Sequence, residues 1–338
     1  MIVFWPECTK DIGMGHLAEC LALADHAKKA KRKTCFILSN FEPAVNQVKA
    51  KGFPYLVSES PKIYDTLRNH DLVSLIALLV INRRTVQLEK LNDFRKNGLP
   101  IAIIDQLGNK TISCDLLINS SIVPDWHSYE FIGPKPICCI GSKYAIIRDE
   151  FKIQKNKREK SNRRKVLLVT MGGIDRTRST LRILQAISNI REKFETKFII
   201  GHGFLYKDKF MDEYEKCKND YMRYFLNVNN IAEHISSSDL VLSAGGNTMY
   251  EIAYLGKPSL VLWEDPHEKK LSEAFESLRC SGVIGNGESS SLEVIRNRIE
   301  DLMADDNARK DMSKNALRIL DGSGPSRIFD QIDKVSLN

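Results

Sequence analysis

The sequence predicts an α/β protein built from two parallel-sheet units, and three observations carry that expectation. Short β-branched and apolar runs alternate with stretches of helical period. Runs such as IAIID and LLVI are apolar without polar alternation, as strands covered on both faces are. A basic segment over residues 152–165, KIQKNKREKSNRRK, interrupts the rhythm, which then restarts. With 338 residues, 43% of them apolar, the chain is long enough for two cores.

Strands are expected over residues 2–5, 35–38, 75–81, 101–104 and 116–118. The first is followed by a helix over 16–31, in which Leu17, Leu21 and Ala24 form one stripe and basic residues crowd the C-terminal end, where they suit the helix dipole. The basic segment contributes little to a core and reads as a solvated linker. The first domain is therefore placed at 1–151, the linker at 152–165 and the second domain at 166–338. In the second half KVLLVTMGG, KFIIGHG, YFLNV, DLVLSAGG and SLVLWE are strand candidates. Beyond Leu292 the spacing is helical, and Pro325 suits the first turn of a last helix, which would pack back on the first domain. Two such units side by side present the carboxyl ends of both sheets to a central cleft, the usual ligand position in open α/β sheets.

Composition narrows the function. The 50 basic and 43 acidic side chains leave a charge of +7, enough to favour an anionic ligand but too little to indicate nucleic acid. Eight cysteines contain no Cys-x-x-Cys, and seven histidines no His-x-x-x-His, so neither a metal nor a cofactor is expected. The longest apolar run, over 72–81, is about half of what a bilayer span needs, and a charged leader is lacking; a cytoplasmic chain without a membrane span is expected.

Chemistry is expected on the loops after strands. The first strand runs into ECTKDIGMGHLAEC, where Gly13 and Gly15 let the backbone approach a ligand and His16 stands at a helix N-terminus. The dipole there keeps imidazole neutral, the state a general base needs; the plain alternative is a polar residue that starts the helix. Asp105 closes IAIID as a candidate catalytic carboxylate or a turn cap. Gly172 and Gly173 form one glycine loop of the second half. Another follows at Ser243, Ala244, Gly245, Gly246, Asn247 and Thr248, whose amides and following helix could face a diphosphate. Glu251 stands one turn on, placed for ribose hydroxyls, although Thr248-x-x-Glu251 also matches a capping box. Tyr144 could stack on a sugar.

Together, DIGMGH, IDQLGNKTISCDLLIN, GSKYAIIRDEF, LLVTMGGID and LVLSAGGNTMYEIAYLGKPSLVL resemble the PseG/SpsG-like UDP-sugar hydrolases of pseudaminic acid synthesis, related to MurG-type GT-B glycosyltransferases. The resemblance implies a GT-B fold, a UDP-sugar substrate and His16 as the group that activates water. It also implies a diphosphate over Ser243 to Thr248 and a ribose on Glu251. The chain departs from the family pattern at Glu19, where arginine is usual, at Asn82-Arg83-Arg84 in place of Asp-x-Tyr, and at Gln106 in place of a second acid. EDPHEKK likewise replaces an Asn-Gln pair. Three readings are open: a UDP-sugar hydrolase releasing free sugar with inversion, a glycosyltransferase using the same donor, and a binder without turnover.

Overall fold

The structure is a computed structural model that describes all residues except 11, 59–62, 85, 87–90, 156–162, 189, 191–193 and 337–338. Asp11 of the DIGMGH run and the centre of the expected linker thus lie outside the described residues. The chain divides into two compact units, Met1–Arg148 with Gly322–Asn338, and Asp149–Asp321.

The N-terminal unit is a parallel seven-stranded sheet, ordered β3-β2-β1-β4-β5-β7-β9. Its strands are β1 (Ile2–Pro6), β2 (Thr34–Leu38), β3 (Tyr55–Val57), β4 (Leu78–Asn82), β5 (Ile101–Ile104), β7 (Leu116–Asn119) and β9 (Ile137–Ile140). A small pair, β6 (Lys110–Ile112) and β8 (Tyr129–Phe131), lies outside it. Successive strand side chains point to opposite faces, and here both faces are covered. Phe4 joins Leu17, Leu21 and Phe36 in one core, while Val3 and Trp5 join Ile81, Phe94 and Ile103 in another. That is why β1 needs no polar alternation. Helices α1 (Gly15–Lys29), α2 (Glu42–Ala50), α3 (Ile63–Asn69) and α4 (Asn92–Lys96) make the crossovers. Soon after α1, Lys31 turns left-handed with φ 57°.

The C-terminal unit begins with α5 (Asp149–Lys155) and has a parallel six-stranded sheet, ordered β12-β11-β10-β13-β14-β15. The strands are β10 (Val166–Thr170), β11 (Glu195–Ile200), β12 (Met222–Leu226), β13 (Leu240–Ser243), β14 (Ser259–Trp263) and β15 (Ser281–Asn286). The helices are α6 (Ser179–Ile187), α7 (Lys207–Cys217), α8 (Ile231–Ser236), α9 (Thr248–Tyr254), α10 (Pro266–Ser277), α11 (Leu292–Ala304) and α12 (Asp306–Ala316). The last helix, α13 (Gly324–Ser336), belongs to the N-terminal unit. There Ile328, Phe329 and Ile332 enter the core of Leu17, and Asp333 pairs with Arg32.

The structure departs from the sequence reading at several elements. The strand expected over 75–81 starts at Leu78, because Val73–Leu75 forms a 3-10 turn that leaves Leu75 exposed. Residues 152–155 of the basic segment are helical, as the end of α5. Strands β3, β6 and β8, of three residues each, and β15, interrupted by glycines, carry too few contiguous apolar residues to read as strands, and the four-residue apolar run of β9 was not read as one.

Candidate active site

In the N-terminal unit the sheet order changes direction at β1 and β4, and the loops leaving their carboxyl ends carry the polar residues of interest. Glu7 follows β1 and joins the two loops: its amide donates to the Asn82 carbonyl at 2.8 Å, and its carboxylate accepts from the Arg84 amide at 2.9 Å and pairs with Arg83 at 3.3 Å. Arg83 also lies over the Trp5 ring, 4.7 Å from its centroid. His16 stands in the first turn of α1, half-buried, after Gly13 in the left-handed region with φ 82°. Burial holds its imidazole below the usual 6.5; Glu7 opposes this, and Arg84 and Arg83 reinforce it. A hydrogen bond with the Asn82 backbone pulls the other way, and the enclosed Nδ1 has no partner among the described residues. A neutral ring at pH 7 follows, with burial the largest cause.

One turn along α1, Glu19 is buried, 8% exposed. Its carboxylate accepts from Asn82 Nδ2 and from Gln106 Nε2, both at 2.9 Å. Asn82 Nδ2 also donates to the His16 carbonyl at 3.2 Å, and Gln106 reaches Ser120 at 2.9 Å. Three of the positions that break the family pattern, Glu19, Asn82 and Gln106, therefore form one network. An acid on the helix meets one amide at the end of β4 and another in the loop after β5, and sequence reading missed this because the partners stand far apart along the chain.

Asp105 takes the turn role. Its carboxylate accepts from the Gly108 amide at 2.9 Å and the Tyr129 hydroxyl at 2.8 Å, and it pairs with Lys110 at 2.5 Å. With its side chain 4% exposed and three partners in place, it locks the loop between β5 and β6. Tyr144 belongs to another neighbourhood. It hydrogen-bonds Cys139, and the start of α13 sits so close that a Cβ on Gly324 would stand 2.1 Å from the Ala145 carbonyl oxygen.

In the C-terminal unit the change of direction falls at β10 and β13. Gly172 and Gly173 are exposed, and a Cβ on either would meet nothing within 4 Å. Beneath them Gly201 allows close packing, since a Cβ there would lie 2.7 Å from the Gly172 carbonyl. Ser243, Ala244 and Gly245 are buried, whereas Gly246, Asn247 and Thr248 face outward at the head of α9, where the Met249 and Tyr250 amides donate to the Gly246 and Asn247 carbonyls at 3.0 and 3.1 Å. The capping box is not formed in the expected way, because Asn247, without a side-chain cap, holds the N-cap position and Thr248 is already helical. Glu251 is buried, 8% exposed.

The Gly245 amide is already engaged. The Glu268 carboxylate of α10 accepts from it and from the Glu264 amide at 2.8 Å, and burial raises the Glu268 pKa. A Cβ on Gly245 would lie 2.6 Å from the Glu268 carbonyl. Glu264 closes β14, where its carboxylate accepts from the Arg176 amide at 2.9 Å and pairs with the guanidinium at 3.2 Å. Burial, with Glu268 adding to it, lifts the Glu264 carboxyl to about 7 against the pull of Arg176. Asp175 accepts from the Ser179 and Thr180 amides, both at 2.8 Å, and anchors α6. Sequence reading missed Arg176 and both glutamates as partners of the glycine loops; EDPHEKK was their one signal. Among the described residues no group of three or more His, Cys, Asp or Glu is arranged to hold a metal ion. No described helix is long and apolar enough to cross a membrane.

Residues 166–324 match the glycosyltransferase family 28 C-terminal domain. Over 311 residues the chain is 23% identical to the uncharacterized protein MJ1062 of Methanocaldococcus jannaschii, covering 86% of this chain and 63% of that protein, so it spans less than two thirds of that relative. The spore coat polysaccharide biosynthesis protein SpsG of Bacillus subtilis is 20% identical over 94% of this chain and 93% of its own. A UDP-N-acetylglucosamine–N-acetylmuramyl-(pentapeptide) pyrophosphoryl-undecaprenol N-acetylglucosamine transferase of Finegoldia magna is 28% identical over 56% of this chain and 53% of its own. Among solved structures, Acinetobacter baumannii MurG aligns with a TM-score of 0.67 at 10% identity, over 98% of this chain and 99% of its own. An S. aureus MnaA–UDP co-structure aligns at 0.62 and 12% identity, over 98% and 95%. The protein is an α/β chain of two Rossmann-like parallel-sheet units with GT-B glycosyltransferases among its structural neighbours.

Proposed function

We propose that the chain is a nucleotide-sugar enzyme that transfers a glycosyl group from a UDP-sugar to a hydroxyl acceptor. The observation that carries this reading is the C-terminal unit, which pairs its match to the glycosyltransferase family 28 C-terminal domain with two outward-facing glycine loops at the β10/β13 switch. Gly172, Gly173 and the amides of Gly246 to Thr248 are assigned to the diphosphate, and Glu251 to the ribose. Gly245 serves the loop through Glu268 instead of the ligand.

In the reaction, the acceptor oxygen forms a bond to the anomeric carbon as the bond from that carbon to the UDP oxygen breaks, with inversion. Neutral His16 takes the acceptor proton, and UDP departs with its charge held by backbone amides. Asn82 positions His16 by holding its carbonyl and hydrogen-bonding with its ring. Asp105 is assigned to the loop and not to proton transfer.

Hydrolysis, with water as the acceptor, is the second reading. It is favoured by the similarity to SpsG along nearly the whole of both chains and by the family resemblance around His16. The test is UDP release from a panel of UDP-linked amino and deoxy sugars, in water alone and with sugar or lipid-linked acceptors. Release only with an acceptor supports transfer, and equal release in water supports hydrolysis. UDP binding without release under any condition would overturn both and leave a binder.

A further inference from the structure

The C-terminal unit contains a cavity that the proposed reaction does not use. It has a volume of about 580 Å³ and forms where α10 ends, β15 starts, and α11 and α12 pass over the strand. β15 runs parallel to β13 and β14, so its first residues lie at the amino end of the sheet, whereas the glycine loop follows the carboxyl end of β13.

The charges lining this cavity are unbalanced. Arg279, Arg298, Lys314 and Arg318 face it with only Glu276 and Asp311 in opposition. Both acids are engaged: Glu276 accepts from the Val283 amide at 2.7 Å, and Asp311 pairs with Lys314 at 3.4 Å. Among the described residues none of the three guanidinium groups has an ion pair, so each keeps its forked donors for a ligand.

Arg279, Arg298, Lys314 and Arg318 are exposed residues, and two details show that the Arg298 head group and the Arg279 backbone are held in place. Arg298 lies against the strand, where a Cβ on Gly282 would stand 3.2 Å from its Nη2. Arg279 occupies a left-handed position, φ 55°, at the end of α10, where glycine or asparagine is preferred and arginine carries strain. The strained turn is held in place, since Asn315 of the α12 helix donates to the Arg279 carbonyl at 3.1 Å.

We propose that this cavity is a binding site for a phosphate-bearing anion with at least two negative charges, separate from the donor loops. The volume falls within the range of small-ligand pockets, and planar guanidiniums match phosphate oxygens in pairs. The same chemistry occurs in a soluble phosphorylated compound and in an anionic lipid headgroup.

The test is calorimetric titration of the full chain with inorganic pyrophosphate at about 0.15 M ionic strength, with UDP saturating. A parallel arm measures sedimentation with phosphatidylglycerol vesicles. Saturable pyrophosphate binding that weakens about tenfold in Arg298→Gln supports the site, since one charge-assisted contact is of that order. Arg279→Gly provides the sharper readout, because relief of the left-handed strain should raise Tm by about 2 °C while pyrophosphate affinity falls. Vesicle binding that the same substitutions abolish assigns the phosphate to a lipid. Absence of both interactions, or interactions unchanged in both variants, would overturn the proposal.

Discussion

The loop clusters of the two units solve different problems. In the N-terminal unit nearly every polar side chain is committed to a protein partner: Glu19 to Asn82 and Gln106, Asp105 to Lys110 and Tyr129, and Glu7 to Arg83 and the Arg84 amide. In the C-terminal unit the outermost groups are bare backbone at Gly172, Gly173 and Gly246, with the carboxylates set behind them. The first arrangement fixes a half-buried imidazole. The second leaves backbone exposed. One cluster thus depends on side-chain partners, the other on the absence of side chains, and substitutions separate the two.

The largest stability effect is expected at Asp105. Its replacement by alanine leaves Lys110 and the Tyr129 hydroxyl without their partner, costing about 3–4 kcal/mol in denaturant unfolding. Glu19→Ala should follow at about 2–3 kcal/mol, because Asn82 and Gln106 lose a charged acceptor; Glu19→Gln should recover part of it. If Glu19→Ala is neutral, the N-terminal network does not hold the site.

In the C-terminal cluster the informative variable is pH. The folded Glu264 carboxyl keeps its proton up to about 7, whereas an unfolded one releases it near 4.5. The unfolded state therefore gives up this proton first, and stability falls as pH climbs from about 4.5 to about 7. Glu264→Gln should remove that slope and add about 2 kcal/mol at pH 8, with the gain vanishing below about pH 4.5. His16 acts in the opposite sense. With its folded pKa below 6.5, its contribution is present above 6.5 and is lost as pH drops through the folded value, so His16→Ala should flatten the acid side of the stability curve. The smallest effect belongs to Gly173→Ala, which fills open space and should change stability by less than about 0.5 kcal/mol while weakening UDP binding. Unchanged UDP affinity would remove Gly173 from the cradle.

Much of the sheet architecture was legible because buried parallel strands leave an unbroken apolar run, as at β1, β5, β10 and β13. Short strands without such runs were not. β6, β8 and β3 have three residues each, and glycines interrupt β15. His16 and the outward glycines could be located from strand-to-helix punctuation. Their surroundings could not, because Glu19 and Gln106 stand 87 positions apart and join only through the fold. The engagement of the Gly245 amide by Glu268 was hidden likewise, since a glycine-rich turn does not reveal which amides are already taken.

The role of His16 is read from the rate of UDP release from the best UDP-sugar, with its acceptor present, in wild type and His16→Ala, alongside UDP affinity. With His16 as the base, kcat falls by about 10²–10⁴ in the variant while UDP binding stays within about twofold. Equal rates in both proteins would contradict that role and remove His16 from the chemistry.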